Sequence, residues 1–190
     1  FDLDDWDIIT KIYLPSGLDL NISKNIFEHI EESLVNLRVQ RVHGLLIHNT
    51  DSINGIHGPE IWKALQEVRR AGLVENIGVS IYSPDDLIIF EHNLFPDIVQ
   101  TPYNIFDQRI ASSGWLNKLH ERGTKVHARS IFLQGVLLQE QSRLHHYFQT
   151  WSRLFQNFED FCAKNNLTKI EASILFALSD TRIDKLVIGC

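Results

Sequence analysis

The chain has 190 residues, of which 44% are hydrophobic, 22% charged and 10% aromatic, a globular balance that excludes disorder, collagen and coiled coil. Its 18 basic and 24 acidic residues leave a net charge of −6, which disfavours a broad nucleic-acid surface. Cys162 and Cys190 are too few for a disulfide framework, and no apolar run approaches the ~18 residues of a membrane helix, so a reducing cytoplasm is the expected setting.

The opening Phe1-Asp2-Leu3-Asp4-Asp5-Trp6 is too acidic for a signal peptide. There is no methionine, and the end follows directly on an apolar run, so an incomplete chain is expected. The first strand is expected over Asp7–Leu14. A helix follows Ser23, with Phe27, Ile30, Leu34 and Leu37 on one stripe that ends near Arg38. Gly44–His48 reads as the second strand. Gly58-Pro59-Glu60 opens a helix that buries Ile61, Leu65 and Val68 and stops at Gly72.

Asn76–Ser80 is the third strand. Ser83-Pro84-Asp85-Asp86 then supplies an N-cap, a proline at the first helical position and acid in the first turn. Asp97–Gln100 is the fourth strand, and a helix through Trp115, Leu116 and Leu119 ends at Gly123, a left-handed cap candidate. Lys125–Arg129 is the fifth strand. Segment 136–166 breaks the rhythm; its Tyr147, Phe148, Trp151, Phe155, Phe158 and Phe161 include helical spacings. They predict a helix packed on the barrel, with a substrate lid as the other reading. Thr168-Lys169-Ile170-Glu171 is a capping-box pattern before Ile174, Leu175 and Leu178, and Lys185–Gly189 is the sixth strand.

These strands are short, often β-branched and nearly continuous in polarity, as strands buried on both faces of a parallel sheet are. Strands alternating with helices give an α/β fold. An open dinucleotide-binding sheet would show G-x-G-x-x-G after its first strand, and none is present. A (β/α)8 TIM barrel normally takes roughly 250 residues, so residues 1–190 are expected to form one partial barrel domain.

In such a barrel the carboxyl ends of the strands face the active site. The polar residues there are Lys11, His48, Ser80, Gln100, Arg129 and Ser130. Each alone reads first as a solvated or packed side chain, but equivalent places on successive strands point to one shared pocket. Lys11 interrupts an apolar strand and needs a partner or a shifted pKa. His48 can donate a hydrogen bond to a carbonyl oxygen or supply a proton. No carboxylate cluster suits a glycosidase. His43, His57 and His145-His146 match no standard zinc spacing, so no metal is expected.

Several stretches carry a resemblance. They are Asp7-Ile8-Ile9-Thr10-Lys11, Glu32-Ser33-Leu34 with Leu37, and Leu45-Leu46-Ile47-His48. Trp62-Lys63-Ala64-Leu65, Ile77-Gly78-Val79-Ser80, Val99-Gln100-Thr101-Pro102-Tyr103-Asn104 and Ser130-Ile131-Phe132-Leu133-Gln134-Gly135 continue the series. In order and spacing they resemble the aldo-keto reductase superfamily over Asp7 to Gly189. The resemblance implies strands three to eight of a (β/α)8 barrel. It implies an NADPH-dependent, metal-free reduction of a small aldehyde or ketone; Arg129 and the several histidines are compatible with a polar, sugar-like one.

By motif, Lys11 and His48 correspond to the family's catalytic lysine and histidine. The family's Asp and Tyr are expected upstream of Phe1, and Tyr13, Tyr82 and Tyr103 match other places. Gln100 and Ser80 resemble the residues that bond the nicotinamide carboxamide, although Ile81 stands where the family has asparagine. Arg129 takes the place of the residue that packs on the nicotinamide ring, often an aromatic. Ser130, Phe132, Leu133, Gln134 and Gly135 resemble the loop that holds the pyrophosphate. Two other readings stand beside this one: a catalytically idle NADP(H)-binding regulatory subunit of the same fold, and an unrelated barrel lyase or hydrolase.

Overall fold

A computed structural model of the chain describes residues 6–14, 21–91 and 95–189. Six parallel strands form one sheet in chain order: β1 (Ile9–Ile12), β2 (Val42–Ile47), β3 (Val74–Ser80), β4 (Ile98–Pro102), β5 (Lys125–Arg129) and β6 (Lys185–Leu186). Helices fill the crossovers: α1 (Ile22–Leu37), α2 (Asp51–Asn54), α3 (Gly58–Arg70), α4 (Arg109–Ser112), α5 (Trp115–Glu121), α6 (Ser152–Lys164) and α7 (Lys169–Ser179). This is the wall of a (β/α)8 barrel, of which the described residues supply six strands. All the expected strands are present. β1 and β6 are shorter than expected, and each has a single sheet neighbour.

Strand residues alternate between two faces. The outer set, including Leu45, Ile47, Val79, Val99 and Val126, is fully buried under the helices. The inner set follows from the register: Lys11 pairs Leu46, Leu46 pairs Gly78, Gly78 pairs Ile98, and Ser80 pairs Gln100. Gly78 is needed where β3 and β4 close up, because a Cβ there would lie 2.0 Å from the carbonyl oxygen of Ile98.

The helices form for local reasons. α1 buries Ile22, Ile26, Ile30 and Leu34, a stripe turned slightly from the expected one, so that Phe27 and Leu37 lie at its margin. It ends on Arg38 in the left-handed region at φ 58°. α3 buries Ile61, Leu65 and Val68 as expected, and Gly72 follows it at φ 79°. The Ser83 signal starts a 3-10 helix, Pro84–Phe90, rather than an α-helix. Its capping box is complete: Asp86 accepts the Ser83 N–H at 2.9 Å.

Segment 136–166 begins with three short 3-10 turns and ends in α6. Phe155, Phe158 and Cys162 of α6 form a second small core with Leu137 and Ala172, and Phe106 packs against it. The packed-helix expectation for this segment therefore describes α6. α7 has its expected capping box, with the Thr168 N–H bonded to Glu171 at 2.8 Å. It buries Ala172, Ser173 and Ala177, whereas Leu175 and Leu178 are 53% and 57% exposed. Ala177 lies in the main core with Ile174 and Phe176 packed against it, while Leu175 and Leu178 lie on a face open to solvent.

Candidate active site

The alternation of β-strands puts Lys11, Ser80, Gln100 and Arg129 on the inner face, at or near the carboxyl ends of β1, β3, β4 and β5. Lys11 Nζ donates to Gln100 Oε1 at 2.5 Å, across the barrel from β1 to β4. Ser80 and Gln100 are side by side and both buried, at 3% and 4% exposed. Burial, and then the charge of Arg129, push the Lys11 pKa below the usual lysine value. Lys11 thus meets both sequence expectations, a partner and a shifted pKa.

Arg129 closes this group from β5. Its Nη2 donates to the Ile81 carbonyl at 2.9 Å and its Nη1 to Ser130 Oγ at 3.2 Å. Its guanidinium carbon lies 4.5 Å from the Tyr82 ring centroid, a cation–π contact. Arg129 Nε is buried with no hydrogen-bond partner. Burial lowers the Arg129 pKa.

His48 follows β2 and is exposed. Its backbone N–H donates to the Ile12 carbonyl at 2.8 Å. Its ring meets that of Tyr13 at 6.3 Å between centroids. With Thr50, Tyr82 and Asp86 they line an open cavity of about 320 Å³. No hydrogen bond joins His48 to Lys11 or Gln100 among the described residues.

The loop after β5 is tightly wound. Ser130, Leu133, Gln134 and Gly135 all have positive φ, at 57°, 47°, 53° and 84°. The Leu133 N–H bonds the Ser130 carbonyl at 2.8 Å and the Gly135 N–H the Phe132 carbonyl at 2.9 Å. The N–H groups of Ile131, Phe132 and Gln134 donate to no acceptor among the described residues. Free N–H groups on a backbone that turns through the left-handed region form a concavity suited to an anion. The Leu133 side chain packs instead on the second core, and Phe132 on the main one.

Two supports escaped the sequence reading. Asn104, 1% exposed, donates to the Ser130 carbonyl at 3.0 Å and accepts the N–H groups of Phe106 and Asp107. It ties the β4 loop to the β5 loop. Tyr82 supplies the platform under Arg129. An asparagine three residues before Asp107 hints at an Asx turn, but its cross-loop bond has no local signal.

Another cavity, of about 520 Å³, lies at the amino ends of the strands. Several of its polar groups are already engaged: Arg41 with Glu75 at 2.8 Å, His43 with Glu75 at 3.0 Å, and Asp7 with Lys185 outside the lining. Among the described residues, no group of three His, Cys, Asp or Glu side chains is placed to hold a metal ion. No described helix is long and apolar enough to cross a membrane.

Residues 3–190 match the sequence profile of the Aldo/keto reductase family. The chain belongs to the aldo/keto reductase family. Among solved structures it is similar to the thermostable aldo-keto reductase Tm1743, determined with the inhibitor epalrestat, at 21% identity and a TM-score of 0.71. That match covers 98% of this chain and 62% of the other. It is also similar to the aldo-keto reductase AKR11C1 from Bacillus halodurans, determined in its holo form, at 17% identity and a TM-score of 0.78. Here 98% of this chain and 63% of the other are covered. At these identities the likeness shows the fold, and this aldo/keto reductase chain spans about three fifths of either neighbour's length. No curated protein sequence matches it.

Proposed function

We propose that this protein is an oxidoreductase of the aldo-keto reductase type, which reduces an aldehyde or ketone to an alcohol with NADPH, and that residues 1–190 are part of one barrel domain. The observation that carries the reading is the Lys11–Gln100 bond of 2.5 Å at the carboxyl ends of the strands. It couples the residue assigned to proton chemistry with the one assigned to the cofactor. Membership of the family supports the same reaction class.

The residues present fit a dinucleotide. Ser80 and Gln100 are adjacent, buried and able to bond a carboxamide. Arg129 offers a guanidinium plane held on one side by Tyr82. The free N–H groups of Ile131, Phe132 and Gln134 suit a pyrophosphate, with Ser130 and Gly135 setting the turn. The bound cofactor supplies the hydride that reaches the carbonyl carbon.

The chain's own residues handle the charge that develops on the carbonyl oxygen. Lys11 is an under-neutralised cation, so it favours phenolate over phenol in a neighbouring tyrosine and thereby eases proton donation. His48, at the rim of the 320 Å³ cavity, holds the substrate oxygen by a directed hydrogen bond. Tyr103 does not serve as the acid. It donates to Asp180 at 3.3 Å, and burial pushes its pKa up. On this reading the substrate is a small carbonyl compound of the cytoplasm, and a sugar-like one suits the polar mouth.

The test is kinetic. The protein should bind NADPH and consume it across an aldehyde panel. Lys11→Met and His48→Ala should each lower kcat by about 10²- to 10³-fold while leaving NADPH binding within a few-fold. Normal turnover in both variants overturns the assignment. Binding without turnover in the parent protein points instead to an idle cofactor-binding subunit.

A further inference from the structure

Arg129 stands where the resemblance implies contact with the nicotinamide ring, and it is held there firmly. Ile81, Ser130 and Tyr82 fix its guanidinium on three sides. Among the described residues it bonds to no carboxylate. Asp107, an acid whose field reaches it, is engaged by Arg109 at 2.7 and 2.9 Å. Lys11, the other half-buried cation, is close enough for the two charges to disfavour each other. Among the described residues neither Lys11 nor Arg129 is bonded to a carboxylate, and the acids of the adjoining cavity, Asp51 and Asp86, lie on its Tyr82 and His48 side.

A nicotinamide ring is neutral when reduced and carries one positive charge when oxidised. An aromatic side chain in this place would attract the oxidised ring through its π face. A guanidinium can stack on either form, but its charge repels the oxidised one. We infer that Arg129 makes the site discriminate between the two redox states of the cofactor, holding the reduced form more tightly and favouring release of the oxidised form. This deepens the cofactor reading above and rests on it.

The preference is an equilibrium property, so it can be measured without turnover. The protein is titrated calorimetrically with NADPH and, separately, with NADP⁺. The reduced form is expected to bind about tenfold more tightly or better, a size consistent with a half-buried charge at stacking distance. Arg129→Lys keeps the charge and should keep most of the preference. Arg129→Gln and Arg129→Phe should bring the ratio close to one, with Phe tending to reverse it. Two neutral variants guard against one that fails to fold, and circular dichroism checks both. Equal affinities in the parent protein, or an unchanged ratio in a folded neutral variant, overturn the inference and leave the cofactor reading intact. Binding of neither form overturns the cofactor reading itself.

Discussion

Asp180 is held by Arg182 through Nε at 2.8 Å, and it also accepts the hydroxyl of Tyr103 at 3.3 Å. The Arg182 hydrogen bond keeps its pKa below the usual 3.8. A carboxyl whose folded pKa is depressed stabilises the fold above its unfolded pKa, and that contribution is lost as pH falls through the folded value. Asp180→Asn should therefore flatten the acid limb of the stability–pH curve below about pH 4. At neutral pH it should cost about 1 kcal/mol, the partly exposed setting reducing the full value of a charged hydrogen bond. Urea melts across pH 2 to 7 would show it. An unchanged acid limb would place the acid sensitivity elsewhere, with Asp107, held in the same way by Arg109, the next group to try. Residue identity alone could nominate Lys11, Gln100 and Arg129. It could not pair Lys11 with a side chain 89 positions away, because that bond depends on the sheet's curvature rather than on spacing. Nor could it show that His48 would be exposed and apart from that bond.

At the scale of elements, local signals and tertiary surroundings divide the explanation. The capping box at Thr168 and Glu171 is written in four residues and forms as read. Thr168→Ala should cost about 1 kcal/mol by freeing the Glu171 N–H, measurable by chemical denaturation. Gly78→Ala is a different test, because the added Cβ would meet the backbone of β4 rather than a yielding side chain. It should destabilise the fold by about 3 kcal/mol or more, beyond ordinary overpacking. A near-native midpoint would show that β3 and β4 can part. The six strands were legible because buried parallel strands are apolar runs whatever their neighbours. The face that α7 buries was not. Ile174 packs against the core while Leu175 and Leu178 are exposed, and a helix's own pattern cannot say what lies across from it. The left-handed turns at Ser130 and at Leu133, Gln134 and Gly135 were equally hidden, since only Gly135 is a residue that advertises positive φ.

For the molecule as a whole, the described sheet has two open edges, β1 and β6, each paired on one side only. The exposed apolar residues Ile170, Leu175, Leu178, Val187 and Ile188 belong to α7 and the segment around β6. Unpaired strand edges beside apolar surface favour association. Residues 1–190 expressed as such should therefore sediment as concentration-dependent oligomers. Leu175→Glu with Leu178→Glu should shift them toward monomer without loss of helix content. A monodisperse monomer of the parent segment at high concentration would contradict this.

The strict chain-order pairing of the strands bears on biosynthesis. Each strand finds its template among residues the ribosome has already released. Synthesis runs at roughly 5–20 residues per second, so a βα unit has on the order of seconds to dock before the next emerges. The newest strand is an exposed edge, so one sticky edge travels along the growing chain while the β1 edge stays open. Chaperone demand during translation should therefore be continuous and moderate, rather than concentrated at chain release.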